Sequence, residues 1–443
     1  MSKSRYNLVH IFADEMREMA MSCSGNPDVC TPNMDRLAAQ GARFTRMFTP
    51  DPVCSPARAS LMTGLLPYRT GVIRNGIRLA EQVPCIAELT AAEGYVTAHI
   101  GKWHLDGTGG REDGYDLVPA LRHRGFAYWA GYEHGHRYWN ARYFTEKDEE
   151  VKLPEGVYAP DAMTDLAIEF LRKHAQNPFH LDLSWGPPHF PLDQAKPEDR
   201  ARFNKASITL RPNVPEKFAD EAREDYANYY AMVENLDWNL RRILDALDEL
   251  HLAGNTIVIF TSDHGDMLLS HGQHFKRRPT EESIRVPFLI RCPDLIPAGQ
   301  VIDTLACLTD VVPTCLELMG IELPKTDGLS HVPELTKRGE PVKRDSIYLS
   351  CMWLGCRDYD LGLHAKRAWR GIRTEHYMGC YLKESDRTMR SVELYDLNAD
   401  PYEMNNLAVA EEFDDMQADL ARQLNEWIQN TNDTLFSGLM LTM

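Results

Sequence analysis

Apolar runs of strand length alternate with helical patterns along most of this chain, and four of the runs stop on polar residues able to do chemistry. Asn7-Leu8-Val9-His10-Ile11-Phe12-Ala13 leads to Asp14-Glu15, and Val96-Thr97-Ala98-His99-Ile100-Gly101 leads to Lys102-Trp103-His104. Phe179-His180-Leu181-Asp182-Leu183-Ser184 leads to Pro187-Pro188-His189, and Thr256-Ile257-Val258-Ile259-Phe260-Thr261 leads to Ser262-Asp263-His264-Gly265. The alternation predicts an α/β fold, a large, mixed, mostly parallel sheet flanked by helices. Ligands in open α/β sheets bind outside the carboxyl ends of the strands, so four ends distant in sequence are expected to converge on one site.

One helix is legible in detail. Over residues 220–250, Tyr229, Met232, Val233, Leu236, Leu240, Ile243, Leu244 and Leu247 recur at three- and four-residue intervals, with Glu234, Asp237, Arg241, Arg242 and Asp248 on the other faces. That pattern predicts a core-packing helix without chemistry of its own. After about residue 340 the texture shifts to aromatic, β-favouring stretches followed by a helical pattern over 411–430, so a smaller antiparallel sheet capped by a helix is expected. The turn-rich stretch 324–342 reads as a linker. It divides the 443 residues into a catalytic α/β unit, 1–340, and a small C-terminal α+β unit, 341–443. The acidic cluster at 146–150 reads as a solvated loop.

The formal charge of -17, from 48 basic and 65 acidic residues, argues against a partner that is a nucleic-acid backbone or an anionic membrane. An anionic substrate must then be drawn in by a local cationic pocket. Ten cysteines are scattered without a Cys-x-x-Cys pair, which supports neither a disulfide framework nor a zinc cage. No apolar run reaches the length of a membrane span, and Met1-Ser2-Lys3-Ser4-Arg5 runs directly into a strand-like segment, so a cytoplasmic protein is expected. No oligomeric state follows from the sequence.

Cys54-Ser55-Pro56-Ala57-Arg58 opens a helical stretch, and a thiol at a helix N-terminus beside a cation is primed for reaction. Asp14, Glu15, Asp263 and His264 offer a hard, oxygen-rich ligand set with one imidazole, suited to calcium, magnesium or manganese. Alone, an Asp-Glu pair is ordinary surface polarity. Two such motifs at strand ends, beside the cysteine run, point to a metal site.

The Cys-x-Pro-x-Arg run resembles that of the type I sulfatases in the alkaline phosphatase-like superfamily. Gly101-Lys102-Trp103-His104-Leu105, Ser262-Asp263-His264-Gly265 and weaker agreements as far as Leu394-Tyr395-Asp396 extend the resemblance over nearly the whole chain. It implies that a formylglycine-generating maturation enzyme oxidises Cys54 to formylglycine, and that one divalent cation, usually calcium, is bound by Asp14, Glu15, Cys54, Asp263 and His264. Glu15 stands where many members carry Asp. The resemblance further implies that Lys102 and Lys276 hold the sulfate, that Arg58 orients the nucleophile, and that His189 protonates the departing alcohol. One hydroxyl of the hydrated formylglycine attacks sulfur, with Asp263 as candidate base; the second expels sulfate, with His104 as base. His271 and His274 are additional candidates, each read as structural.

The expected activity is therefore hydrolysis of a sulfate monoester. A phosphonate monoester or phosphodiester hydrolase is the alternative, because the two ester classes share geometry and charge. A non-catalytic anion-binding protein is a third reading. The expected substrate is a small-molecule or oligosaccharide sulfate ester, a sulfated sugar or an aryl sulfate. Phe126, Tyr128, Trp129, Tyr132, His134, His136, Tyr138, Trp139 and Tyr143 offer either a wall for stacking that substrate or, the better reading for most of them, the packing of a long loop.

Overall fold

The computed structural model describes residues 5–352, 368–383, 385, 388–438 and 440–442. Its large sheet is built from β1 (Asn7–Asp14), β2 (Ala42–Phe44), β3 (Val96–Lys102), β4 (Tyr128–Tyr132), β5 (Arg142–Thr145), β6 (Glu150–Lys152), β7 (Phe179–Pro188), β8 (Thr256–Ser262), β9 (Phe288–Arg291) and β10 (Gln300–Ile302). They lie in the order β10-β2-β9-β8-β1-β7-β3-β4-β5-β6. The stretch from β8 through β1, β7 and β3 to β4 is parallel, while β9, β5 and β6 join antiparallel. The expected mixed, mostly parallel α/β fold is thus the observed one.

Alternate side chains of the central strands enter two separate hydrophobic layers, which is why these strands read as continuous apolar runs. Val9, Ile11, Ala13, Leu181, Leu183, Val258 and Phe260 pack on one face against α2 (Ala159–His174) and α3 (Ala219–Glu249). Leu8, Phe12, Ile257 and Ile259 pack on the other against α1 (Cys54–Thr63) and α4 (Val311–Met319). The three- and four-residue spacing over 220–250 forms α3, whose Leu236, Leu240, Ile243, Leu244 and Leu247 are fully buried. The stretch 146–150 is exposed. It is not loop throughout, because Glu150 already pairs with Phe144 as the first residue of β6.

The C-terminal sheet consists of β11 (Ser346–Cys351), β12 (Trp369–Thr374), β13 (Tyr377–Lys383) and β14 (Thr388–Asp396), all antiparallel, with β15 (Met440–Thr442) added parallel to β14. One face packs against Leu420, Ala421, Leu424 and Ile428 of α5 (Asp414–Thr431). The other buries Ile347, Leu349, Trp369 and Cys380 against Phe48, Val53 and Ile284 of the large unit. Ser350 N–H donates to the Pro50 carbonyl at 2.8 Å. The small sheet therefore braces the segment that delivers Cys54. No described helix is long and apolar enough to cross a membrane.

Candidate active site

The four strands that end on polar residues are immediate neighbours, in the order β8-β1-β7-β3. Register sets their ends level: Ala13 pairs with Ser262, Asp14 with Pro188 and Gly101 with Ser184. Asp14, Lys102, His189 and Asp263 therefore emerge at one edge of the sheet. Gly101, at φ 106°, permits the approach of β3 to β7, because a Cβ there would lie 1.9 Å from the Ser184 carbonyl oxygen.

Helix α1 brings Cys54 to the same edge as its first residue, and all ten of its side chains are buried. One turn later Arg58 reaches across the strand ends. Its Nε donates to Asp263 Oδ2 at 2.9 Å, one terminal nitrogen donates to the Lys102 carbonyl at 2.7 Å and to Ser184 Oγ at 2.8 Å, and the other donates to Asp14 Oδ2 at 3.2 Å. A planar guanidinium supplies such divergent donors and an ammonium does not. Arg58 is 1% exposed, so these bonds and ion pairs must offset the full desolvation of its charge.

Around the Cys54 sulfur stand Lys276 Nζ at 3.2 Å, His264 Nε2 at 3.4 Å and Asp14 Oδ1 at 3.8 Å. Lys102 Nζ bonds the second Asp14 oxygen. Lys276 Nζ also meets His189 Nε2 at 2.8 Å, and His189 Nδ1 bonds the Phe190 carbonyl at 2.6 Å. Nδ1 of His189 thus carries a proton, and Nε2 is turned toward the site.

Burial opposes ionisation of the Cys54 thiol, but Lys102, Lys276 and His264 outweigh it and hold its pKa well below the usual value. Burial and Lys102 together pull His104 down to about 3, so this ring is neutral. Burial and then the neighbouring Asp14 charge raise Asp263. Burial disfavours the His264 imidazolium, yet Asp263 raises it to about 9.

Two carboxylates crowded together call for positive charge between them. Ligand atoms of Asp14, Cys54, Asp263 and His264 all lie within 4.8 Å of one another, a donor set that fits a divalent ion. Glu15 stands beside this group rather than in it. Its fully buried oxygens approach His189 Nε2 at 3.1 Å and Lys276 Nζ at 3.4 Å without hydrogen-bond alignment.

His271 and His274 lie outside the cluster: the first contacts Asn213 at 3.1 Å and the second faces Glu221 and Asp225. The stretch 126–143 is mostly core, as the packing reading has it. Phe126, Trp129, Tyr132 and Tyr138 are buried in the layers on the two faces of the sheet. Only His134 and His136 from that stretch reach the site, where His134 stacks on His104 with centroids 5.2 Å apart and His136 comes within 3.4 Å of Lys102 Nζ. Ser184 is a further participant that no spacing rule marks; it faces Arg58 only because β7 lies next to β3.

A family model described as Sulfatase matches residues 6–321. The chain belongs to the sulfatase family. A second model, N-sulphoglucosamine sulphohydrolase, C-terminal, matches residues 270–430 of this sulfatase. It is 35% identical over 435 residues to the ulvan-active sulfatase of Formosa agariphila, with 96% of this chain and 82% of that protein covered. It is 27% identical to the endo-4-O-sulfatase of Bacteroides thetaiotaomicron, with 98% and 94% covered. The crystal structure of the yidJ protein of Bacteroides fragilis matches with a TM-score of 0.88 at 29% identity, over 98% of each chain. This sulfatase is an enzyme that hydrolyses sulfate esters.

Proposed function

We propose that this sulfatase removes sulfate from a sulfated sugar, with Cys54 converted to formylglycine by a maturation enzyme and one divalent cation, calcium foremost, held by Asp14, Asp263, His264 and the residue at 54. The unit through residue 340 carries the chemistry and residues 341–443 brace it. The observation that carries this reading is the convergence of buried Cys54, Arg58, Lys102 and Lys276 with half-buried His189 on one cluster at the ends of four adjacent strands. Relatives described as an ulvan-active sulfatase, an endo-4-O-sulfatase and an N-acetylglucosamine-6-O-sulfatase favour a sugar substrate.

A sulfate ester repels an approaching nucleophile and gathers charge on its oxygens as it reacts. Lys102 and Lys276, on two sides of Cys54, would hold the sulfate oxygens and neutralise that charge in place. The cation, when bound, adds a Lewis acid at the same point, and the hydrated aldehyde at 54 supplies one hydroxyl to attack sulfur and a second to release sulfate. As the imidazolium, His189 turns its Nε2–H toward the departing alcohol and donates that proton, leaving the neutral ring protonated on Nδ1, a contribution of about 10² to 10⁴ in rate. Neutral His104, against the Cys54 sulfur, accepts the proton given up as sulfate leaves. Arg58 keeps Asp14 and Asp263 ionised and fixed. Glu15 faces His189 and Lys276 and keeps both close to the nucleophile.

The deciding experiment compares matured enzyme on a panel of sulfated mono- and disaccharides with matched aryl sulfates, phosphonate monoesters and phosphodiesters. The reading expects sulfated sugars to be the best substrates. A phosphonate preference overturns the sulfate assignment, activity confined to simple aryl or alkyl sulfates overturns the sugar assignment, and a persistent thiol at Cys54 in active enzyme overturns the nucleophile.

A further inference from the structure

The loop that carries His189 begins where β7 ends, and a general acid on a loop needs something to hold its ring. We propose that His136 is a positioning residue, whose flat ring holds the His189 imidazole in the plane from which Nε2 reaches the departing oxygen. The inference rests on the assignment of His189 as the acid.

The rings of His136 and His189 lie face to face, with centroids 3.7 Å apart and an interplanar angle of 7°. On its own, the bond from His189 Nδ1 to the Phe190 carbonyl leaves the imidazole free to tip about that contact. A parallel ring against one face removes that freedom.

The two segments are tied to each other as well. The single Tyr138 hydroxyl proton is shared between the His189 carbonyl, at 2.7 Å, and the Gly186 carbonyl, at 3.1 Å. Gln194, just beyond the His189 loop, donates to the His136 carbonyl at 3.1 Å and accepts from Tyr138 N–H at 2.6 Å. Trp139 Nε1 donates to the Gln194 carbonyl at 3.0 Å. Residues 136–139 and 186–194 are thereby fixed as one frame around the stack. The opposite edge of His189 meets Lys276 and Glu15. The ring is thus bounded on its edge and on one face. Among aromatic substitutes, phenylalanine keeps the flat ring and loses the nitrogens, which separates stacking from any nitrogen contact with Lys102.

The test measures kcat and KM along a series of aryl sulfates, from 4-nitrophenyl sulfate, whose phenol departs with little protonation, to electron-rich phenols that need it. For His136→Ala, kcat is expected to fall by about 10- to 100-fold at the poor-leaving-group end, the cost of misplacing a reacting group by about an ångström. It should fall much less for the nitrophenyl ester, which steepens the leaving-group dependence. His136→Phe should restore the wild-type slope. His136→Leu, which keeps the bulk without the flat ring, replaces the alanine variant should that one fail to fold, and is expected to show the same steepening. A uniform drop along the series, or a phenylalanine variant as steep as alanine, overturns the proposal. His189→Ala is the reference: steepening there without steepening in His136→Ala defeats only this inference, whereas an unchanged slope in His189→Ala defeats the assignment of the acid itself.

Discussion

Replacing Arg58 by Met tests whether one buried guanidinium holds the two carboxylates of the site together. The side chain is 1% exposed and makes four hydrogen bonds, two of them to Asp14 and Asp263. Removing one partner of a buried ion pair costs about 3–5 kcal/mol, because the remaining charge is stranded away from water. Lys102 still bonds Asp14, which places the expected loss in the lower part of that range, while Asp263 keeps only backbone donors and His264. With about 2.1 cal/mol/K of unfolding entropy per residue, a cooperative unit of 443 residues loses roughly 1 °C per 0.9 kcal/mol, so a loss of about 3–4 kcal/mol should lower Tm by about 3–4 °C in the presence of a chelator. Calcium at saturating concentration supplies positive charge to the same carboxylates and should recover at least half of the loss. Arg58→Lys should fall between, since an ammonium satisfies one carboxylate. Scanning calorimetry of matched samples in chelator and in calcium measures all of this. A shift below about 1 °C in chelator, or one of equal size with and without calcium, would refute the claim that Arg58 and a cation serve the same two carboxylates.

Two further outcomes follow from residues near the site. Burial depresses His99 to about 3, and its ring stacks on Trp129 at 4.7 Å. A histidine lowered on folding contributes stability that is complete above pH 6.5 and is lost as the pH falls toward its folded value. Each unit costs about 1.4 kcal/mol, so wild type should lose about 2 kcal/mol more than His99→Phe between pH 7 and pH 5, read from urea midpoints; parallel pH dependences would exclude this. Phe190, 47% exposed and edge-on to Phe275 at 5.3 Å, follows the proposed acid directly. Phe190→Ala is expected to raise KM for ring-bearing sulfates by about 2- to 10-fold, the worth of one aromatic contact, with the KM of a small alkyl sulfate unmoved; equal increases for both would show that Phe190 has no role in holding the ring.

The strand-to-helix alternation and the polar strand ends were legible because period and burial are written directly into the chain. Leu8, Val9, Ile11 and Phe12 are apolar on both faces of β1, and Asp14 at its end takes no part in that packing. The α3 spacing survived for the same reason. What the sequence did not disclose depends on neighbours far away along the chain. Glu15 follows Asp14 and reads as its fellow ligand, yet the backbone turns left-handed there, at φ 67°, and sends the carboxylate toward His189 and Lys276. The stretch 126–143 is aromatic throughout, and no local pattern separates Trp129, locked under the sheet, from His136, which strand β4 and Gln194 together carry to the site. The fifth strand of the small sheet comes from residues 440–442, after α5, and its partner β14 lies more than forty residues earlier.

Helix α1 is sealed on every side, and Cys54, its first residue, is only 2% accessible. The folded chain exposes neither the sulfur nor the residues that flank it, and freeing them would cost a hydrophobic layer and the Arg58 cross-links. The proposed oxidation at position 54 would therefore have to come before the chain packs around it.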